Sequence, residues 1–252
     1  MCKLHLISSR KIVKLFVEAD ARAAVAGGLP KRSKGTDCKS VGIAFAGSNP
    51  ASTTMIISDF YDERCRIAEH SWQASCWGSE QDQYGRFAVA ASYISNNSSV
   101  LDVGCGQGDL YRFGKNRGLG WSYTGIDISP LMVEASKCRF RMAEFLCGDF
   151  LNSQIDRHDH VVALGTFSLK QDDPYNYLRL SLQRCYNLCE SSAFATILIK
   201  GAEFVDDKPE SKLFYYEPER IFEIARSITP HITIDTASLN CEAALCMKRR
   251  KK

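Results

Sequence analysis

The sequence predicts an α/β protein organised as a doubly wound sheet, and three observations predict it. Strand-like apolar runs alternate with helical stretches from residue 98 onward. The first run, SSVLDV, passes directly into three alternating glycines, Gly104, Gly106 and Gly108, and then into a helix start. Acids stand at or just past the ends of three successive runs, Asp102, Asp127 and Asp149. That is where ligands bind in open α/β sheets.

The elements follow in order. FYDERCRIAEHSWQASCWGSEQDQYGRF, residues 60–87, is rich in aromatic residues. Trp77 and Tyr84, with Trp72 and Phe87, wall a small-molecule pocket or pack a lid onto the sheet. In SSVLDVGCGQGDL, residues 98–110, the glycines carry no Cβ, so the turn can take positive φ and leave room for a ligand. A dinucleotide fingerprint would need a third glycine where Asp109 stands. YTGIDIS (123–129) reads as a second strand, and Ser129 before Pro130 caps the helix that follows. FLCGDFL (145–151) and HVVALGTFSL (160–169) read as strands three and four. Apolar residues at Tyr175, Leu178, Leu182, Cys185 and Cys189 repeat at helical spacing. SAFATILIK is a buried fifth strand, EPERIFEIARSI a helix, and ITIDTA with AALCMK a closing strand pair.

The acid-x-Gly-x-Gly-x-Gly pattern resembles the first motif of class I S-adenosylmethionine-dependent methyltransferases. The likeness continues in the right order over residues 59–248 and is densest from 98 to 170. It implies a seven-stranded, mostly parallel Rossmann-like sheet with its last strand antiparallel, and S-adenosyl-L-methionine as cofactor. It further implies that Asp102, Gly104, Gly106 and Gly108 line the cofactor, that Asp127 takes both ribose hydroxyls, and that Ile128 lies along the adenine. Asp149 would accept from the adenine amino group, with the Phe150 backbone N–H meeting a ring nitrogen. Gly165, Thr166 and Phe167 would face the methyl group. Arg86 is placed to reach the methionine carboxylate, and Tyr215 and Tyr216 are further lining candidates.

Composition bounds the partners. A hydrophobic content of 45% over 252 residues suffices for one sizeable core, and no apolar run approaches a membrane span. A cytoplasmic protein is expected. The 11 cysteines are scattered without C-x-x-C pairs, so no metal site is expected, and Cys105 reads as a small residue filling a tight turn. No general base is evident among the five histidines; His160 falls at the wrong end of its strand. The catalytic residue is therefore left open.

Residues 1–54 differ from the rest. Gly47-Ser48-Asn49-Pro50 is encodable by the T-loop sequence of transfer RNA genes, Asp37-Cys38-Lys39-Ser40 by a tyrosine anticodon loop, and Thr53-Thr54 by a terminal CCA. The segment resembles a translated tyrosine transfer RNA gene, and the native protein is expected to begin at Met55. The alternative is a basic N-terminal arm with one amphipathic helix. The expected organisation is thus a spurious or disordered extension over 1–54, a helical lid over 55–97 and a methyltransferase core over 98–248. Residues 1–54 carry nine Lys and Arg against three acids, leaving 23 against 26 for the remainder. A mildly acidic remainder disfavours a nucleic-acid partner. The expected activity is methyl transfer to a small-molecule acceptor, because Leu164-Gly165-Thr166-Phe167 lacks the Pro-Pro motif associated with planar amino groups. The alternatives are an RNA methyltransferase and a non-catalytic S-adenosylmethionine-binding module. Oligomeric state is not readable.

Overall fold

A computed structural model describes the backbone of residues 50–201 and 212–250, with side chains described from Ile57 onward. The expected translated extension therefore lies almost wholly outside the described residues. Among the described residues three helices precede the sheet, α1 (Pro50–Ile67), α2 (Ser71–Ala74) and α3 (Glu80–Ala91). Helix α1 runs straight through the boundary expected at Met55. Helix α3 starts where it does because the Ser79 hydroxyl accepts from the Asp82 N–H at 3.1 Å, with Glu80 and Asp82 favourably placed in its first turn.

The core then alternates: β1 (Ser99–Val103), α4 (Asp109–Asn116), β2 (Ser122–Asp127), α5 (Pro130–Arg139), β3 (Glu144–Cys147), β4 (His158–Leu164), α6 (Pro174–Leu188), β5 (Cys189–Leu198), α7 (Pro218–Ile228), β6 (Ile232–Asp235) and β7 (Glu242–Lys248). These strands form one seven-stranded sheet in the order β3-β2-β1-β4-β5-β7-β6. Strands β1 to β5 pair in parallel, and β7 runs antiparallel to both β5 and β6. The doubly wound, mostly parallel, seven-stranded Rossmann-like fold expected from the sequence is the fold observed.

Side-chain alternation sends β1 to two cores at once. Leu101 and Val103 join Val161, Ala163, Leu178 and Leu182 on one face of the sheet. Val100 joins Phe87, Phe113, Tyr123 and Val162 on the other. Both faces are covered, which is why the central strands read as unbroken apolar runs. Each fully buried Leu or Phe contributes about 1.5–3 kcal/mol. Strand order reverses between β1 and β4, so the crevice above their carboxyl ends is the topological switch point.

Candidate functional site

The floor of the site is the turn that leaves β1. Backbone N–H groups of Gly104 and Cys105 both donate to the Ile126 carbonyl, at 2.8 and 3.1 Å, which folds the turn over the end of β2. Gly104, Gly106 and Gly108 lie at φ of 74°, 53° and 78°, as the alternating pattern requires. The Gly106 N–H then donates to Asp127 Oδ2 at 2.8 Å, and the Ser129 N–H donates to Asp127 Oδ1 at 2.9 Å. One carboxylate thus ties the glycine turn to the start of α5. Each of its oxygens keeps a lone pair for a further donor.

The carboxylates here are under electrostatic load. Burial pushes Asp127 above the usual carboxylate range, opposed by the N–H groups of Ser129, Gly106 and Ile128. Asp102, 5% exposed, is pushed up to about 7 by burial, while the Tyr123 hydroxyl donating to it at 2.5 Å works the other way. Among the described residues neither acid has an ion-pair partner, whereas Asp109 is paired with Arg139 at 2.8 Å and Arg112 at 3.5 Å. The strand tips therefore hold two acids that burial biases toward the protonated form and that have no ion-pair partner among the described residues. Asp149 is half-buried and bonded within its own turn, accepting from Leu151 N–H at 3.0 Å and Asn152 Nδ2 at 2.6 Å.

The roof comes from the residues that precede β1. Ser58 of α1 donates to the Ile128 carbonyl at 3.2 Å. Asp62 accepts from the Ser129 hydroxyl and from Leu131 N–H, so α1 caps α5 from outside. Tyr61 lies within electrostatic reach of Asp127, Cys76 and Tyr177, and burial pushes its phenol well up. Ser75 stands above the glycine turn, its Oγ 2.8 Å from where a Cβ on Gly106 would be. Trp77 covers Gly165, its ring edge 3.0 Å from the corresponding point there. Thr166 donates to the Val103 carbonyl at 2.7 Å and locks the exit of β4 onto the end of β1.

Asp102, the three glycines, Asp127, Ile128, Gly165, Thr166 and Trp77 are thus gathered around the ends of β1, β2 and β4. The other residues singled out from the sequence lie as follows, and the side chains of Phe167 and Tyr84 are turned into the core and not toward the strand tips. Phe150 and Phe167 are 7% and 1% exposed and belong to the core beneath the tips, with ring centroids 6.4 Å apart. Tyr84 packs on Phe87 and Phe113, with Arg112 over its ring, on the helix side of the glycine turn. Tyr215 is half-buried on the strand-like stretch before α7, and Tyr216 is wholly buried. Arg86 is committed to Glu242, to the Asp82 carbonyl and to the Cys241 sulfur, which leaves a cofactor carboxylate no free fork. Burial pushes the Cys105 thiol well above its ordinary value, consistent with a packing role. His160 accepts from Ser95 N–H at 3.2 Å and bonds Ser192 at 2.8 Å, at the opposite end of the sheet from the site. Tyr61, Asp62 and Ser75 were not singled out from the sequence, which offers only their aromatic-rich surroundings as a signal.

The seven-stranded sheet with its glycine turn at the switch point has the fold of Rossmann-like methyltransferases. Residues 100–188 match the family model described as a methyltransferase domain. A Mycobacterium tuberculosis protein described as a candidate methyltransferase is 42% identical over 76 residues, which are 29% of this chain and 43% of that protein. The chain spans less than half the length of the curated relatives it matches. Among solved structures, magnesium protoporphyrin IX methyltransferase from Synechocystis PCC 6803 with bound SAM has a TM-score of 0.60 at 16% identity, covering 82% of this chain and all of that one. The 1,6-didemethyltoxoflavin-N1-methyltransferase of Burkholderia thailandensis has a TM-score of 0.57 at 14% identity, covering 84% of this chain and 94% of that one. At such identities the likeness is one of fold.

Proposed function

We propose that this protein transfers the methyl group of S-adenosyl-L-methionine to a small-molecule acceptor. The observation that carries the reading is the brace between Asp127 and Gly106, a buried carboxylate holding open a glycine turn at the switch point of the sheet. The residues fit the cofactor: a turn without Cβ atoms admits a close approach, and a positively charged guest would offset the burial that now holds Asp102 and Asp127 above their ordinary values. When bound, S-adenosyl-L-methionine would supply an already activated methyl on a sulfonium.

The chain's own residues would then bind, orient and exclude water. Asp127 would receive ribose hydroxyls on its remaining lone pairs, and Ile128 would lie against the adenine. Asp149 would turn an oxygen toward the adenine amino group, and the Phe150 N–H would meet the ring. Gly165 and Thr166, beneath Trp77, would form the methyl-facing end. Alignment of the acceptor there accounts for several kcal/mol of barrier lowering, of the order of 7–11 in well-oriented systems. A base is needed only for an acceptor protonated in its reactive form.

A small acceptor is favoured over RNA because residues 55–252 carry 23 Lys and Arg against 26 acids. Calorimetric titration with S-adenosylmethionine and S-adenosylhomocysteine tests the cofactor, and labelled methyl transfer into metabolite and RNA fractions tests the acceptor. Binding of neither ligand would overturn the reading. Label in RNA alone would replace the acceptor class, and tight binding with no transfer to any fraction would favour a binding module.

A further inference from the structure

A closed ring of contacts joins the roof to the floor at the methyl-facing end. The Gly165 N–H donates to Thr196 Oγ1 at 2.9 Å, and the same hydroxyl donates to Glu242 Oε1 at 3.2 Å. The other oxygen of Glu242 accepts from Arg86 Nε. Arg86 also donates through Nη1 to the Asp82 carbonyl at 2.8 Å, and its guanidinium carbon stands 4.8 Å from the centre of the Trp77 ring. Trp77 returns to the start, its edge 3.0 Å from where a Cβ on Gly165 would lie. The ring draws on the exit of β4, on β5, on β7, on α3 and on the segment between α2 and α3.

We infer that Arg86 and Glu242 are positioning residues that hold Trp77 over Gly165 and so set the methyl-facing end of the site. This rests on the methyltransferase reading for what the end does, but not for the ring itself. Glu242 is 1% exposed and Thr196 fully buried. A buried ion pair is rarely needed for stability, since a well-packed apolar pair serves as well. Here the carboxylate does what an apolar residue could not. One oxygen holds the floor through Thr196, and the other holds the roof through Arg86.

The arginine is specific in the same way. It spends Nε on Glu242 and Nη1 on the Asp82 carbonyl while its guanidinium carbon stands over the indole ring. A lysine ammonium cannot make that set of contacts. Glycine at 165 is required twice over, by φ of 69° and by the approach of Trp77. The ring thus lets the indole edge sit where any side chain would block it. Acceptors that enter this end meet an indole whose tilt is decided 156 residues along the chain from Arg86, at Glu242.

The chain has three tryptophans, so a full-length Trp72→Phe/Trp121→Phe protein reports Trp77 alone. In that background Glu242→Gln and Arg86→Lys should raise acrylamide quenching of Trp77 at least twofold without ligand, with the urea midpoint showing a folded protein. Thr196→Val should leave Trp77 quenching unchanged but speed amide exchange at Gly165 at least tenfold. It is the second measurement if either charge variant fails to fold. Unchanged Trp77 quenching in both folded charge variants, or unchanged exchange at Gly165, overturns the ring. S-adenosylhomocysteine should shift Trp77 emission in the background protein and at most half as much in Glu242→Gln. An equal shift in the two overturns the positioning role. Absence of any binding heat in the wild type instead removes the adenosyl reading and leaves the ring to be judged by quenching and exchange.

Discussion

Asp102 makes the stability of this protein depend on pH in a direction opposite to that of most carboxylates. Its ordinary value is 3.8 and burial pushes it up to about 7 in the folded chain. Between those values the folded state binds a proton that the unfolded state has released, so stability falls as pH rises through the window. The separation corresponds to about 4 kcal/mol at 1.36 kcal/mol per pK unit, as an order of magnitude. The Tyr123 hydroxyl already favours the ionised form, while Asp127 and Asp109 oppose it. Asp102→Asn cannot titrate, and its Oδ1 can still accept from Tyr123. Urea unfolding of both proteins from pH 4 to 8 gives a difference in which other titrations largely cancel. That difference should move in favour of the asparagine variant by a few kcal/mol as pH rises, most steeply between 5 and 7. Any constant offset reports the packing of the amide and is irrelevant to the slope. A difference that stays flat across the range would show that Asp102 is ionised and solvated in the folded protein, and the picture of a desolvated acidic cradle would fail.

Other perturbations test the remaining parts. Asp127→Ala should weaken S-adenosylmethionine binding by about 1.5–3 kcal/mol in calorimetry, the range for hydrogen bonds to a charged group. Gly106→Ala places a Cβ 2.8 Å from Ser75 Oγ at φ of 53°, and should cost about 1–3 kcal/mol in urea unfolding. Arg86→Ala strands Glu242 without a cation and should cost about 3–5 kcal/mol, most of it regained in Arg86→Met/Glu242→Leu. Native Cys105 should resist iodoacetamide at pH 8 while exposed Cys138 is alkylated, as read by peptide mass.

How far the sequence can be read depends on the distance over which the decisive contact acts. The strands and helices were legible because apolar periodicity is local, and the Ser129-Pro130 start of α5 was legible for the same reason, its hydroxyl accepting from Met132 N–H three residues on. The glycine turn was legible because its backbone needs are written in consecutive residues. Beyond that, locality fails. Phe150 and Phe167 sit just past strand ends, where the two-residue alternation no longer says which way a side chain points, and both turn down into the core. Tyr84 lies on a helix whose apolar face could meet either the cleft or α4, and Phe113 decides for α4. Asp62 caps a helix 67 residues away, and Arg86 finds its acid 156 residues on. Nothing near Asp62 or Glu242 marks either as a partner. A lone acid opening the apolar run AALCMK even argues against burial until its cation is known. The floor of such a site is thus written in motifs, because a ligand that contacts backbone constrains adjacent residues. The roof is written in pairings between remote side chains, which only the fold brings together. On the proposed methyl-transfer reading, the residues that set acceptor choice belong to the part of this chain that is least legible from sequence, and the Trp77 ring is where to look for them.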